Sequence, residues 1–256
     1  MSFFDAVLLG IVEGITEFLP ISSTGHLILA TRLLGIPESD FVKSFHITIQ
    51  LGAILAVIVL YGKSLLVNRK ILSRVAVAFL PTAFLGFILY KVIKHVFLGS
   101  EQIVLWSLFL GGVFLILFER FYQKHGGTVG DLEKISYRQS FLIGVFQSLA
   151  VVPGVSRAAA TIIGGLILGL KRKTIVEFSF LLAIPTMAAA AGYDLMKSAA
   201  VFSGGQFSVL LCGFFVSFVL AILGIKFFLH FIVRHDFTSF GVYRVLVALL
   251  FWFVIR

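Results

Sequence analysis

The chain has 256 residues, of which 59% are hydrophobic and only 13% are charged. A soluble domain would have about a quarter charged residues, so this composition and a mean hydropathy of +1.08 predict a polytopic membrane protein. The net charge of +9 comes from short basic clusters between apolar runs. That placement favours topology signals and lipid headgroup contacts and argues against nucleic acid as a partner.

Other common sequence signals are missing. The single cysteine, Cys212, lies in an apolar run, so the sequence offers no disulfide framework and no thiolate metal site. The first apolar stretch follows no basic segment and contains Glu13 and Glu17, so we expect no cleaved signal peptide.

Two short helices are predicted at the start of the chain. Residues 3–19 are apolar and stop at Pro20, and residues 22–35 resume as a second helix that Ser22 or Ser23 can cap. Helices of about 14 residues reach only ~21 Å, which is less than the ~30 Å thickness of the hydrocarbon core. We therefore expect a re-entrant pair that enters and leaves the membrane on one side.

The rest of the chain contains longer apolar runs and a second short pair. The short pair covers 139–152 and 156–169 and is interrupted by Pro153-Gly154. The six full transmembrane helices are predicted at 41–61, 75–93, 101–121, 175–197, 207–233 and 241–255. The fold class is therefore predicted as an all-α polytopic membrane protein, a single membrane domain with two re-entrant helix pairs.

The two short pairs indicate an internal repeat. The separation between Pro20 and Pro153 is the same as the separation between Phe45 and Phe178. The segment 10–15 also resembles 144–149, with Glu13 matching Gln147, although the identity is weak. We predict repeat 1 over about 1–121, a loop at 122–138 and repeat 2 over about 139–256.

The basic residues predict the orientation. If the spans alternate, twelve Lys and Arg residues lie on the side reached after span 41–61, and six lie on the other side. This count leaves out Arg157, Lys226 and Arg244, which lie within spans or short pairs. The positive-inside rule makes the first side cytoplasmic, which puts both termini outside. The first short pair then enters from outside and the second from the cytoplasm, an inverted topology in which two broken helices meet near the midplane.

Polar groups converge at both breaks. Each break presents a helix N-terminus, where free N–H groups and the dipole favour an anion. The side chains expected around that anion are Ser22, Ser23, Thr24, Ser156, Arg157 and Thr161. Arg157 has the fork geometry that suits a phosphate. The alternative is a kinked helix with a snorkelling Arg157, but the break lies far from both predicted interfaces.

Glu13 and Glu17 share one helix face because they are four residues apart. Ionisable groups cost roughly 2.5–3.5 kcal/mol each inside a membrane, so we expect these two to have a use. Two carboxylates facing a phosphate suit Mg²⁺ or Ca²⁺, and without a metal one of them would hold a proton. The alternative is a structural pairing of one or both with Arg157.

His26 follows Ser23 by three residues and could exchange a proton with it, although a lone histidine is usually structural. In the next span His46 and Gln50 share a face and could line the same cavity. The sequence contains no zinc spacing, P-loop or dinucleotide-binding glycine pattern.

Two motifs resemble a known family. The run Glu13 to His26, EGITEFLPISSTGH, and the run PGVSR at 153–157 are similar to the signatures of the bacterial undecaprenyl-diphosphate phosphatase family of the bacitracin-resistance type. The segments 49–54 and 180–185 also resemble that family. The resemblance implies a bacterial inner-membrane enzyme that removes one phosphate from a C55 isoprenoid diphosphate and so recycles the lipid carrier of cell-wall synthesis. It also implies an inverted repeat with re-entrant helices and an active site open to the periplasmic face.

The resemblance also assigns roles by position. The acidic motif, the motif histidine and the phosphate-site residues are matched by Glu13, Glu17, His26, Ser23, Ser156 and Arg157. One departure is that the family usually has Ser-Gly where this chain has Ala158-Ala159. The loss of a hydroxyl donor at Ala158 suggests a lower affinity or rate than the family norm.

The sequence is compatible with a phosphatase mechanism and with an alternative function as a transporter. In the mechanism, the diphosphate of a polyprenyl lipid lies between the two tips, and Ser23 or a water attacks its terminal phosphorus with His26 as proton partner. The rival is a secondary transporter or flippase for a polyprenyl phosphate or another anion, since inverted repeats with broken helices are transporter architecture. A purely structural protein would not explain the polar groups at both breaks. Membrane lipids and a second copy of the chain, in a possible homodimer, are the other expected partners.

Overall fold

Ten α-helices account for most of residues 1–92, 100–122, 127–198 and 204–254, which the computed structural model describes. Their bounds are α1 Phe3–Thr16, α2 Ser23–Leu33, α3 Asp40–Val67, α4 Arg69–Val92, α5 Glu101–Phe121, α6 Tyr137–Ser148, α7 Arg157–Ile167, α8 Arg172–Ser198, α9 Gly204–Arg234 and α10 Thr238–Val254. The only other regular features in those ranges are two short 3₁₀ turns and an isolated bridge between Val129 and Leu170. The all-α prediction is confirmed.

Five of the described helices are long and apolar enough to cross a membrane, in segments of α3, α4, α5, α8 and α9. The sixth predicted span, 241–255, falls on α10, which is apolar but has only 17 residues in the described range. The outer surface is strongly apolar, with Phe87 and Phe253 each 82% exposed. Large exposed apolar faces of this kind are lipid contacts in a chain of this composition. The protein is therefore a multi-pass membrane protein.

The first helix of each predicted short pair, α1 or α6, begins with a capping box. Ser2 accepts from the backbone N–H of Asp5 while the Asp5 carboxylate accepts from the N–H of Ser2, and Ser136 and Gln139 make the same reciprocal pair. Each box satisfies two of the N–H groups that a helix N-terminus leaves unpaired. The two pairs thus start with the same local chemistry, although they lie in different halves of the chain.

The second helix of each pair, α2 or α7, has 11 residues and follows a serine with unusual backbone geometry. Ser22 has φ 71° and Ser156 has φ 76°, and no other non-glycine residue in the described ranges has a positive φ. Each serine caps its helix by accepting from the backbone N–H three residues on, Gly25 at 3.4 Å and Ala159 at 3.1 Å. Ser22, and not its neighbour, is therefore the counterpart of Ser156, so the separation between the two caps is one position longer than the separation between the two prolines.

Helices of the two halves pack in exchanged pairs. The first helix of each half packs against the fourth helix of the other, as α1 on α9 and α6 on α4, and the third helices follow the same rule, as α3 on α9 and α8 on α4. Glycines permit the closest approaches, because a Cβ at Gly10 would lie 2.8 Å from the carbonyl oxygen of Gly213, and Gly144 abuts the backbone of Ala78. Two further contacts between the halves, α3 with α8 and α5 with α10, join equivalent helices.

Several sequence-based expectations fall outside the described residues. They concern residues 123–126 of the predicted loop and three of the basic residues that were counted on one or the other side of the membrane, Lys94, Lys124 and Arg256.

Candidate active site

A cavity of about 170 Å³ is lined by residues of both helix breaks and by α3, α4, α6 and α8. Seven of the ten predicted site residues line it: Glu17, Ser22, Ser23, Thr24, Gln50, Ser156 and Arg157. The fold therefore brings the two polar motifs of the sequence, which lie in different halves of the chain, to one place.

A buried ion pair joins the two breaks across this cavity. Nη2 of Arg157 donates to Oε1 of Glu17 at 2.9 Å, and the two side chains are 12% and 6% exposed. The other carboxylate oxygen of Glu17 accepts a hydrogen bond from Oγ of Ser23. Nη1 of Arg157 donates to the carbonyl oxygen of Ser179 at 2.8 Å, while its Nε has no partner among the described residues. Arg157 is therefore held in place with one donor still available.

Glu13 lies one helical turn before Glu17 and is completely buried. Neither of its carboxylate oxygens has a hydrogen-bond partner in the part of the chain that the structure describes. An unpaired buried carboxylate is costly, so it requires a proton or a cation. The predicted structural pairing with Arg157 is thus made by Glu17 and not by Glu13.

Glu13 and Glu17 offer oxygen ligands of the kind that a hard divalent cation prefers. Both free oxygens of Glu13 are of the type that Mg²⁺ and Ca²⁺ prefer, and Glu17 presents a second carboxylate on the same helix face. The described residues contain no group of three or more His, Cys, Asp or Glu side chains that could hold a metal without help. Phosphate oxygens of a ligand could add to these carboxylates, as is usual for Mg²⁺, although Glu13 is not among the residues that line the cavity.

His26 makes no hydrogen bond to Ser23 among the described residues and does not line the cavity. Its Nδ1 lies 2.8 Å from the carbonyl oxygen of Ser22, and its Nε2 lies 2.9 Å from the hydroxyl of Tyr243, whose ring stacks on the imidazole. Helical side chains point towards the N-terminus, which directs His26 to the residue four positions earlier. The predicted proton exchange between Ser23 and His26 has no hydrogen bond to support it, because Ser23 donates to Glu17.

The two remaining predicted site residues, Gln50 and Thr161, differ in their position relative to the cavity. Gln50 lines the cavity, whereas Thr161 is fully buried next to it and donates to the carbonyl oxygen of Arg157 at 2.8 Å. His46, which could have shared the cavity with Gln50, instead lies 2.9 Å from the hydroxyl of Thr31.

A polar cluster on the cavity wall was not predicted from the sequence. The side-chain amide of Gln147 donates to the hydroxyls of Thr82 at 2.8 Å and Thr186 at 3.1 Å, and all three residues line the cavity. Two signals could have found it. Gln147 matches Glu13 in the repeat, and each threonine follows a proline inside a helix, Pro81 or Pro185. Arg244, set aside as part of a span, was also missed.

The fold and this cavity define a multi-pass helical membrane protein with a charged internal site built at two helix breaks. The family model described as Bacitracin resistance protein BacA matches residues 6–250, so the chain belongs to that family. Among curated relatives, the "Undecaprenyl-diphosphatase" of Aquifex aeolicus (strain VF5) is 52% identical, and the alignment covers 98% of both chains. A protein of the same name from Persephonella marina is 51% identical over 98% of both chains. Another from Thermus thermophilus is 48% identical over 99% of this chain and 97% of the relative.

Proposed function

We propose that this protein is an integral membrane phosphatase that hydrolyses undecaprenyl diphosphate to undecaprenyl phosphate and inorganic phosphate. Its family and its full-length identity of about half to proteins named for that activity support this function. The observation that most supports this function is that Glu17 contacts both Ser23 and Arg157 inside one cavity. It combines a nucleophile, a proton acceptor and a fixed cation, which are the groups that phosphoryl transfer requires.

The proposal includes an inverted repeat, with repeat 1 at about 1–121 and repeat 2 at about 139–256. The exchanged packing of α1 on α9 and α6 on α4 supports a two-fold relation between the halves. In that arrangement α1–α2 and α6–α7 are re-entrant pairs from opposite leaflets, and their breaks meet near the midplane.

The cavity opens towards the periplasm in this proposal. Of the cavity residues on α8, Met187 and Ala190 belong to its second half, away from the basic residues Arg172 and Lys173 at its start. The positive-inside rule places those basic residues in the cytoplasm, so both termini lie outside.

Substrate binding uses the two helix N-termini and the side chains around them. Nε of Arg157 is buried and has no hydrogen-bond partner among the described residues, so a phosphate oxygen that reaches it can accept from it without breaking the ion pair. The hydroxyls of Ser22, Thr24 and Ser156 and the amide of Gln50 line the same space and can donate as well. The prenyl chain leaves the cavity sideways into lipid.

Oγ of Ser23 attacks the terminal phosphorus while Glu17 accepts its proton, because the two are already hydrogen-bonded. The bond to the bridging oxygen breaks and undecaprenyl phosphate leaves; water then hydrolyses the phosphoserine. A water hydrogen-bonded to Glu17 could attack directly instead, and labelled phosphate trapped on Ser23 distinguishes the two routes. Arg157 stabilises the charge on the transferring group. We assign His26 to holding the tip through Ser22.

Glu13 and Glu17 would hold the divalent cation, Mg²⁺ or Ca²⁺. When bound, the cation supplies positive charge that stabilises the phosphate oxygens in the transition state. The unpaired oxygens of Glu13 support this assignment.

The second candidate is a transporter or flippase for a polyprenyl phosphate or an anion. The exchanged packing of the two halves favours it, because broken helices at a repeat interface are the architecture of many transporters. In that case the cavity would bind its ligand without cleaving it.

Phosphate release from purified protein in detergent decides between the two. Undecaprenyl diphosphate and a C15 diphosphate are assayed with and without a chelator, in wild type, in Glu17→Gln and in Glu177→Gln. Glu177 is a matched control because it is a glutamate of α8 paired with Lys173, and it does not line the cavity. Release that needs a divalent cation and is lost only in Glu17→Gln supports the phosphatase. Tight binding without release supports a carrier.

In nanodiscs, the mass of the protein relative to one 28.2 kDa chain tests for a homodimer.

A further inference from the structure

Arg244 of α10 is fully buried, and none of the ion pairs among the described residues includes it. Its guanidinium instead contacts five backbone carbonyl oxygens. They belong to Pro20 at 3.3 Å and Val155 at 3.0 Å from Nη1, Ser107 at 2.9 Å and Gly154 at 2.7 Å from Nη2, and Leu108 at 3.4 Å from Nε. A buried cation is costly unless its donors are satisfied, and here all three nitrogens have acceptors.

These carbonyls come from three separate segments. Pro20 belongs to the first helix break, Gly154 and Val155 to the second, and Ser107 and Leu108 to the middle of α5. One side chain therefore ties both breaks to each other and to a long apolar helix. The ion pair of Glu17 with Arg157 joins the breaks on the cavity side, and Arg244 joins them through their backbones.

The contact also orients the peptide group that precedes Ser156. The described residues contain no cis peptide, and in a trans peptide the N–H points opposite to the carbonyl. With the Val155 carbonyl on Arg244, the N–H of Ser156 points away from that guanidinium. Ser156 has a positive φ, a conformation that persists only where the surroundings fix it.

We propose that Arg244 is a positioning residue for the phosphatase site, an inference that rests on the function proposed above. It holds the backbones of both breaks so that Ser23 and Arg157 meet the diphosphate in the correct geometry. It does not line the cavity and acts only through the two loops.

Gly111 provides a second way to disturb this contact. A Cβ at Gly111 would collide with Nη2 of Arg244 and lie 2.8 Å from its Cζ. The change Gly111→Ala therefore displaces the guanidinium while the charge and every other side chain remain. A displaced reacting group costs as much as about 10²-fold in rate for an error of about 1 Å.

The experiment compares Arg244→Lys, Gly111→Ala and the control Leu105→Ala in the phosphate-release assay, together with thermal unfolding. Leu105 of α5 is buried in a hydrophobic cluster that includes Ala248 of α10, and it is not among the residues that accept hydrogen bonds from the guanidinium. At a temperature where each variant is folded, we expect kcat of Arg244→Lys and Gly111→Ala to fall by at least about tenfold with a smaller change in KM. Leu105→Ala should lower the unfolding temperature and keep the kcat of wild type.

The outcomes are distinguishable. If both Arg244→Lys and Gly111→Ala keep the kcat of the control, the guanidinium has only a structural role and the inference is overturned. If Arg244→Lys does not fold, Gly111→Ala alone decides. A wild type that releases no phosphate overturns the proposed function itself, whereas an active wild type with equally active variants overturns only the role of Arg244.

Discussion

Arg157 and Glu17 are 140 positions apart in the chain, and a 2.9 Å ion pair joins them inside the protein. Their side chains are 12% and 6% exposed, so the pair is shielded from water. A buried pair of this kind contributes little net stability as a unit, but loss of either partner leaves an uncompensated charge.

The first prediction follows from that asymmetry. Glu17→Gln and Arg157→Gln should each destabilise the protein by about 3–5 kcal/mol and abolish phosphate release. The double variant should recover much of the stability, because the removal of both charges leaves no unpaired buried charge. It should recover none of the activity. Chemical unfolding in mild detergent and phosphate release measure the two effects. Single variants that unfold like wild type would show that the pair is not formed in the membrane.

The second prediction concerns Glu13, whose buried carboxylate oxygens have no partner among the described residues. Glu13→Gln should keep or raise the unfolding temperature, because the amide is neutral and needs neither a proton nor a cation to be buried, and should lower the rate. Mg²⁺ at about 100 times its Kd should stabilise wild type by about 2.7 kcal/mol and leave Glu13→Gln unchanged. A chelator should reverse the wild-type effect. Equal stabilisation of both proteins would exclude Glu13 as a cation ligand.

The sequence was sufficient to locate the two helix breaks, because Pro20 and Pro153-Gly154 interrupt apolar runs and serines follow them. It was also sufficient to predict that the two polar motifs meet, since a charged residue in an apolar helix needs a polar environment. Local chemistry decides where the breaks lie and can be read from adjacent residues, whereas the meeting of the motifs follows from the need of each buried charge for a polar partner.

The partners within the site could not be predicted in the same way. Glu17 and not Glu13 meets Arg157, and Ser23 donates to Glu17 and not to His26. These choices depend on the rotation of α1 and α2 about their axes, which distant packing such as Gly10 on Gly213 determines. Arg244 was missed for the same reason, because its partners are backbone carbonyls that carry no signal in the sequence.

The third prediction separates the two neighbouring serines at the first break. Ser23→Ala should lower kcat by at least about 10²-fold, since it removes the group that contacts Glu17. Ser22→Gly should raise KM, because a donor to the phosphate is lost, but should retain most of the wild-type kcat and stability, because glycine adopts a φ of 71° without strain and costs a cap only a few tenths of a kcal/mol. Ser22→Val is the matched control, which should be destabilised because a β-branched residue disfavours this φ. The reverse order of kcat in the Ser22→Gly and Ser23→Ala variants would assign the attack to Ser22.

The fourth prediction concerns the alanine that replaces the usual family serine. Ala158 is 1% exposed, packs in the main hydrophobic cluster and does not line the cavity, so the hydroxyl is not missing from the substrate's surroundings. Ala158→Ser should therefore leave KM within about twofold and should destabilise the protein by about 1–3 kcal/mol by burying a hydroxyl. Ala190→Ser introduces the same group on the cavity wall as a comparison. A large gain in affinity for Ala158→Ser would contradict this placement.

The last prediction tests what His26 does. If the imidazole positions the tip through the bond between its Nδ1 and the Ser22 carbonyl, asparagine can replace it, because the asparagine amide places a donor near the position of Nδ1. We therefore expect His26→Asn to stay within about tenfold of the wild-type kcat, since one hydrogen bond contributes about 1 kcal/mol, and His26→Gln to lose more. Tyr243→Phe, which removes only the hydroxyl that contacts Nε2, should resemble wild type in kcat and unfold at a slightly lower temperature. A histidine that transfers a proton in the reaction gives a different pattern. Asparagine and glutamine would then both reduce kcat by about 10²–10⁴-fold, and the pH dependence of kcat would lose one limb in each variant.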